Sequence, residues 1–299
     1  MFWTRTSAEV RALIKTMRPR QWMKNVVIFA PLVFDRQLGF NHIEATLHTL
    51  AGFIIFCVLS GVVYIINDLA DAEADRLHPE KKYRPIASGV LSKRTALISA
   101  SIMLLVLFPI SIWLSPRFAA IALAYFLLNL AYSKWLKHML LLDVFSIALG
   151  FVLRVAAGVM LIEVSRFSPW LYIVTTLGSL FIGFGKRRAE LVLLDTNANS
   201  HRKVLSGYTI SLLDQYILVV SSTTLIAYGL YTFSAPNLPE NHVMMLTIPF
   251  VIYGVFRYLY LIQVRGCGGA PEEVLFADRP LQATIILWGL AVLAIFYIF

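Results

Sequence analysis

Residues 47–66 read LHTLAGFIIFCVLSGVVYII, and residues 67–75 continue as NDLADAEAD. The first stretch contains 20 residues and no Lys, Arg, Asp or Glu. As a helix it rises about 30 Å, the thickness of a bilayer's hydrocarbon core. The second stretch turns abruptly acidic. An apolar span that ends on clustered carboxylates decides the fold class, and the rest of the chain agrees with it. Of 299 residues, 59% are hydrophobic and 14% charged, and the mean hydropathy is +0.73. A soluble domain carries about 25% charged residues. A soluble enzyme, a disordered chain and a collagen-like repeat are therefore excluded. An outer-membrane barrel is excluded too, because its strands alternate in polarity rather than run apolar for whole helices. The expectation is an all-α polytopic membrane protein.

Counting windows long enough to cross a bilayer gives nine transmembrane helices, near residues 24–40, 47–67, 95–114, 117–134, 139–162, 169–185, 208–233, 243–264 and 280–298. The first is short and interrupted by Pro31. A basic turn with Lys134, Lys137 and His138 separates the fourth from the fifth. Lys and Arg concentrate in residues 1–23, 68–94, 134–138, 186–207 and 265–279, whereas the opposite loops hold only Arg36, Arg117 and Arg166. By the positive-inside rule the N-terminus is cytoplasmic and the C-terminus external. The segments 68–94, 186–207 and 265–279 then read as cytoplasmic loops of a single domain, 1–299. Residues 1–24 are charged throughout and lack the apolar core of a signal peptide. Val10, Leu13, Ile14 and Met17 recur at helical spacing, which predicts an amphipathic helix within 1–23. It either lies at the membrane surface or packs on its own protein.

The formal charge is +9, from 26 Lys and Arg against 17 Asp and Glu. In a membrane protein this points to the lipid bilayer and to phosphorylated ligands, with no nucleic acid as partner. Cys57 in an apolar run and Cys267 in a Gly-rich loop do not suggest a disulfide framework, and no residues have zinc-ligand spacing.

Asn67, Asp71 and Asp75 recur every four residues and share one helical face, with Asp68 beside them. They stand at the C-terminal end of a membrane helix, where the dipole disfavours negative charge and like charges four apart repel. Such a cluster calls for a cation. Oxygen ligands without His or Cys fit Mg²⁺ shared with substrate phosphates, with Asn67, Asp71 and Asp75 as metal ligands. The alternative is a solvated acidic helix end neutralised by Arg76 and Lys81. Lys81, Lys82 and Arg84 follow at once and could complete a diphosphate clamp. Tyr64, one turn before Asn67, faces the same way and could hydrogen-bond substrate.

The run from Asn67 to Asp75 resembles the NDxxDxxxD motif of the UbiA superfamily of intramembrane prenyltransferases. The continuation from Arg76 through His78-Pro79 and Arg84-Pro85-Ile86-Ala87-Ser88-Gly89 resembles that family as well. The resemblance covers nearly the whole chain and implies a bundle of about nine helices with the N-terminus inside. Two more segments narrow it. Arg18-Pro-Arg-Gln-Trp-Met-Lys24-Asn25 looks like the RPxQWxKN signature of the decaprenyl-phosphate phosphoribosyltransferase branch. Gly185-Lys186-Arg187-Arg188-Ala-Glu190-Leu looks like the same branch's GKRxxEL. Ordinary prenyltransferases of the superfamily carry a second Asp-rich motif after the sixth span. Here that segment holds Lys186, Arg187, Arg188, Arg202 and Lys203, with only Glu190 and Asp195 as acids. More cations suit substrates with more phosphates.

The resemblance implies transfer of phosphoribose from phosphoribosyl diphosphate (PRPP) to a long-chain polyprenyl phosphate at the cytoplasmic face of the cell membrane. Asn67, Asp68, Asp71 and Asp75 form its catalytic set. Lys81, Lys82, Arg84, Lys186 and Arg187 are the candidate cations around PRPP. Lys24, Lys137 and Arg154 are candidates for the lipid phosphate. A buried ion pair is the alternative for Arg154, an intramembrane arginine. Arg257 either snorkels or pairs with a loop acid, and Asp278 reads as a helix cap. A prenyl transfer to an aromatic acceptor is the second reading. A transporter of phosphorylated solute or lipid is the third, although no paired interrupted helices favour it. Whether the chain forms a homo-oligomer stays open.

Overall fold

The computed structural model describes residues 2–163, 169–196, 203–235, 238–266 and 271–298. Arg166, Arg202 and Cys267 lie outside the described residues. Those described form helices and turns and include no strand. The helices are α1 (Phe2–Thr16), α2 (Ala30–Phe34), α3 (Ile43–Ala70), α4 (Ala72–Leu77), α5 (Lys93–Leu114), α6 (Pro116–Lys134), α7 (Leu142–Val159), α8 (Pro169–Thr196), α9 (Ile210–Ser234), α10 (Ile248–Gln263), α11 (Pro271–Ala277) and α12 (Arg279–Ile298). Among the described residues, six segments are long and apolar enough to cross a membrane: α3, α5, α7, α9, α10 with the turn before it, and α12. Helices α6 and α8 cover the expected spans 117–134 and 169–185.

Two boundaries differ from the sequence reading. The first expected span, 24–40, is not one continuous helix. Residues Pro19–Phe29 wind as a 3₁₀ helix, and the short α2 follows. Arg18 ahead of Pro19 is in the left-handed region, at φ +52°, so α1 cannot run on into this segment. The stretch 186–207 is not wholly a loop either, because α8 continues to Thr196. Residues 186–194 are rich in Lys, Arg, Ala, Glu and Leu, all good helix formers, and nothing there breaks the helix.

The spanning helices leave apolar side chains in the open. On α5, Leu97, Ile102, Leu105 and Trp113 are exposed, as are Leu218, Val219 and Ile226 on α9 and Ile286 and Leu290 on α12. Apolar surface on this scale is stable against lipid, not water. The protein is a multi-pass membrane protein. Helix ends are capped where they meet polar segments. Ser92 accepts the Thr95 N–H at 3.0 Å at the start of α5, and Thr209 accepts that of Leu212 at 3.1 Å at the start of α9.

The chain divides into two compact units. The first comprises Met1–Leu32, Leu38–Ser133 and Leu153–Glu163. One of its cores packs Phe56 against Phe118 and Tyr125, with ring centroids 5.7 and 5.1 Å apart, and adds Ile28, Leu59, Ala157 and Leu161. A second core joins Ala12 and Met17 to Val62, Ile65, Ile86, Leu91 and Ala96. Met17 lies over Gly61, where an added Cβ would come within 2.7 Å of its Cε. Helix α1 thus packs its Ala12–Thr16–Met17 side on the protein, while Val10 and Ile14 stay exposed. The second unit comprises Val33–Gln37, Lys134–Val152 and Val164–Phe299. Its larger core contains Val144, Phe181, Phe184, Tyr208, Leu213, Ile217 and Tyr258, and a smaller one gathers Tyr228, Tyr231, Met244 and Phe296.

Candidate active site

Helix α3 carries the acidic motif to its last turn, and the turn to α4 continues it. The Asp71 N–H donates to the Asn67 carbonyl at 2.9 Å, and the Asp75 N–H to the Asp71 carbonyl at 2.8 Å. The four-residue spacing is therefore realised as helical geometry, but the four polar side chains part company. Asp68 and Asp75 are each 3% exposed. Arg84 donates from Nη1 to Oδ1 of Asp68 at 3.1 Å and to Oδ2 of Asp75 at 2.7 Å. Asp71 is exposed and Asn67 half-buried. Neither side chain has a partner among the described residues. Asp75, expected as a metal ligand, is thus the seat of an arginine, whereas Asn67 and Asp71 are the two oxygen donors left open.

Arg18 completes the cluster, and the sequence reading missed it as a site residue. Its Nη2 donates to Asp68 Oδ1 at 2.8 Å, and its guanidinium lies 4.6 Å from the centre of the Tyr64 ring. A left-handed backbone at a non-glycine residue is costly, and such strain collects at functional sites. Ion pairing and stacking on Tyr64 offset it here. The available signal was Arg18 directly before a proline at a predicted helix end. Its partner Asp68, 50 residues on, was not legible.

The loop after α4 is pinned from outside. Arg76 Nε donates to the Ala87 carbonyl at 3.2 Å, and Lys93 reaches Glu73 at 2.5 Å. The Lys93 hydrogen bond and the Arg76 charge hold Glu73 below the ordinary carboxylate range. Lys81 and Lys82 are exposed, with the Lys82 Nζ 5.2 Å from the Tyr83 ring centre. Neither is brought into an ion pair with the acidic face.

Among the described residues no three His, Cys, Asp or Glu side chains converge as a metal cage. That donor set still fits Mg²⁺, which keeps several waters and binds through one or two carboxylates plus substrate phosphates. Asn67 and Asp71 would hold it.

Arg154 is 8% exposed inside the first unit. It donates from Nε to Asn25 Oδ1 at 2.7 Å and from Nη2 to Tyr125 Oη at 2.8 Å, and it stacks on the Tyr125 ring at 4.7 Å. Asn25, fully buried, also donates to Ser60 Oγ at 3.4 Å. Arg154 was expected at a substrate phosphate or in a pair with a carboxylate. Two of its hydrogen bonds go to an amide and a phenol. Lys24, next to Asn25 on the 3₁₀ segment, is half-buried.

In the second unit the cations of α8 differ from one another. Lys186 is half-buried and without a partner among the described residues. Arg187, expected beside a substrate phosphate, is fully buried. It lies 3.3 Å from Asp143 Oδ2 and donates to Glu190 Oε2 at 2.6 Å. Arg188 pairs with Asp214 at 2.6 Å and donates to the Ile262 carbonyl at 3.1 Å. Lys137 is half-buried and His138 exposed. Arg257 pairs with a loop acid, Asp278, at 2.8 Å. Asp278 also caps α12 by accepting the Leu281 N–H at 2.8 Å, so both expectations for it hold at one carboxylate.

The sequence model of the UbiA prenyltransferase family matches residues 37–266. The chain is 36% identical to the decaprenyl-phosphate phosphoribosyltransferase of Mycolicibacterium smegmatis over 293 residues, 93% of this chain and 90% of that one. It is 34% identical to the protein of that name from Corynebacterium glutamicum over 298 residues, 96% and 87% of the two chains. Among solved structures it is similar to a UbiA homolog from Archaeoglobus fulgidus bound to DMAPP and Mg²⁺. There the TM-score is 0.69 with 17% identity, covering 96% of this chain and 99% of that one. At that identity the likeness concerns the fold.

Proposed function

This chain belongs to the UbiA prenyltransferase family, and on that premise we propose that it transfers the 5-phosphoribosyl group of PRPP to a long-chain polyprenyl phosphate, releasing diphosphate. The observation that carries this reading is the split within the acidic motif. Two open oxygen donors, Asn67 and Asp71, stand beside two guanidinium groups held on Asp68 and Asp75. Such an arrangement suits a magnesium-bound diphosphate better than a neutral substrate. The kinship with proteins named phosphoribosyltransferases over more than nine-tenths of the chain supports reading that diphosphate as PRPP.

In the transfer, an oxygen of the lipid phosphate bonds to the anomeric carbon as the bond from that carbon to diphosphate breaks. The attacking oxygen is already ionised near neutral pH, so no side chain has to remove a proton. Mg²⁺, when bound, neutralises charge gathering on the leaving diphosphate. Arg84 and Arg18 present guanidinium groups to the same anion and are held there by Asp68 and Asp75. Lys81 and Lys82, exposed on the following turn, add charge that draws PRPP from solution. Lys24, Lys137 and Lys186 are the cations we assign to the remaining phosphates of the two substrates. The Tyr64 ring supports Arg18 through its face, 4.6 Å from the guanidinium. Rate enhancement comes from positioning and from stabilising the leaving group. Attack from the face opposite the diphosphate inverts the anomeric centre. The basic segments 1–23 and 68–94 support a cytoplasmic-face location for this chemistry by the positive-inside rule.

The test uses purified protein in detergent, Mg²⁺, polyprenyl phosphates of several lengths and radiolabelled PRPP. Label moving into the organic phase, dependent on Mg²⁺ and lost in Asp71→Asn, is the expected result. Label staying aqueous, with activity on a prenyl diphosphate and an aromatic acceptor, would place the protein on the other branch of its family.

A further inference from the structure

Lys186, Arg187 and Arg188 are equal by charge count but not by environment. Consecutive residues on a helix point about 100° apart, so one run of three cations serves three directions. Arg188 is tied to Asp214 and to the Ile262 carbonyl, which spends its donors on α9 and the end of α10. Arg187 donates from Nη1 to Glu190 and stands in ion-pair contact with Asp143 at 3.3 Å, its side chain 0% exposed and its Nε and Nη2 without a hydrogen bond among the described residues. Lys186 alone of the three has no partner among the described residues.

The contacts of Arg187 continue beyond Asp143. Tyr208 donates its hydroxyl to Asp143 Oδ1 at 2.8 Å, and the same hydroxyl oxygen accepts the Leu141 N–H at 2.9 Å. Leu141 sits at φ +66°, in the left-handed region that a branched side chain avoids. The Tyr208 hydroxyl thus holds a strained turn in place. Gly207 allows it to do so: a Cβ there would come within 3.0 Å of Leu140 Cδ1. The turn so held follows directly on Lys137 and His138. Burial, reinforced by the Asp143 carboxylate, pushes the Tyr208 phenol up, so it stays a hydrogen-bond donor throughout the working pH range. For Arg187 to reach a phosphate it would have to leave Asp143, which is itself 0% exposed, as an unpaired buried charge.

We propose that Asp143, Arg187 and Tyr208 are positioning residues: a buried triad that fixes Lys186 on α8 and the turn bearing Lys137, so that these two lysines, and not Arg187, meet a substrate phosphate. The proposal rests on the phosphoribosyl-transfer reading. The phosphate belongs either to PRPP or to the lipid acceptor, and a KM measured for each substrate identifies which.

The experiment is a double-mutant cycle on the full-length protein. Lys186→Met, Arg187→Lys, Tyr208→Phe and the two double variants with Lys186→Met are assayed well below their melting midpoints. Lys186→Met is expected to raise the KM for one substrate without lowering the midpoint. Arg187→Lys and Tyr208→Phe should each raise the same KM by about tenfold with kcat nearly unchanged, and add at most about twofold when Lys186 is already gone. Should Arg187→Lys not fold, Tyr208→Phe, which removes one oxygen, carries the test. A lower midpoint with both KM values unchanged would reduce the triad to scaffolding and overturn the proposal. Full additivity in the Lys186→Met background would also overturn it, by showing that Arg187 acts through its own contact. Wild-type protein that transfers no label would refute the phosphoribosyl reading instead. Equilibrium binding of inorganic diphosphate and of polyprenyl phosphate to the same variants then decides the triad, by the same coupling criterion.

Discussion

Replacing Asp71 by Asn separates function from folding: activity should fall steeply while stability barely moves. The Asp71 side chain is exposed and unpartnered among the described residues, so nothing in the fold depends on its charge. It stands both at the C-cap of α3 and at the N-cap of α4, whose dipoles act on a carboxylate in opposite senses, each by about 0.3–1 kcal/mol. Asp75, one turn on, adds a small like-charge repulsion that Arg84 already offsets. Removing the charge should therefore change stability by less than about 0.5 kcal/mol, within roughly 1–2 °C in melting midpoint for a chain of this size. Catalysis should change far more. If Asp71 supplies the only open carboxylate to the magnesium diphosphate, its loss removes about 4 kcal/mol of transition-state stabilisation, near a thousandfold in rate. Melting in detergent and label transfer from PRPP, on the same preparations, measure both. A midpoint several degrees lower with transfer within tenfold of wild type would refute the reasoning, since Asp71 would then be structural.

Three further expectations concern the residues around it. Asp68→Asn should do what Asp71→Asn does not: Asp68 Oδ1 receives two guanidinium groups, and removing the acceptor's charge from both bonds should cost about 2 kcal/mol, read as a lower melting midpoint. The Arg257 hydrogen bond holds Asp278 below the ordinary carboxylate range. Its pair therefore stabilises the fold above about pH 4 and is lost as pH falls through the depressed value. Acid melting curves of wild type and Asp278→Asn should accordingly converge below that pH. Ser92→Ala removes the cap of α5 and should cost about 1 kcal/mol by the same melting assay.

The sequence made the spanning helices legible because hydropathy over 20 residues is a local property. It also made the acidic motif legible, since helical spacing fixes which residues share a face. Long-range pairing was beyond its reach. Nothing near Arg154 names Asn25 or Tyr125 as its partners, and nothing near Arg187 distinguishes it from Lys186. Charge counting set Arg187 beside a substrate phosphate, whereas tertiary packing turns it inward onto Asp143, as it turns the neighbouring Arg188 onto Asp214. The span drawn over 24–40 failed for a local reason that was on view. Pro19 just ahead of it and Pro31 within it each lack the N–H that α-helical hydrogen bonding needs, and the chain between them winds as a 3₁₀ segment.

Met17 and Arg18 are adjacent yet bound to different tasks, the one seated over Gly61 and the other gripping Asp68. The amino-terminal helix is thereby a lever with its fulcrum at a glycine. Oxidising the Met17 thioether, or giving Gly61 a methyl group, would lift the lever and withdraw a guanidinium from a site neither residue touches. The seat of Met17 over Gly61 and the grip of Arg18 on Asp68 together fix the register in which α1 hands over to the 3₁₀ segment.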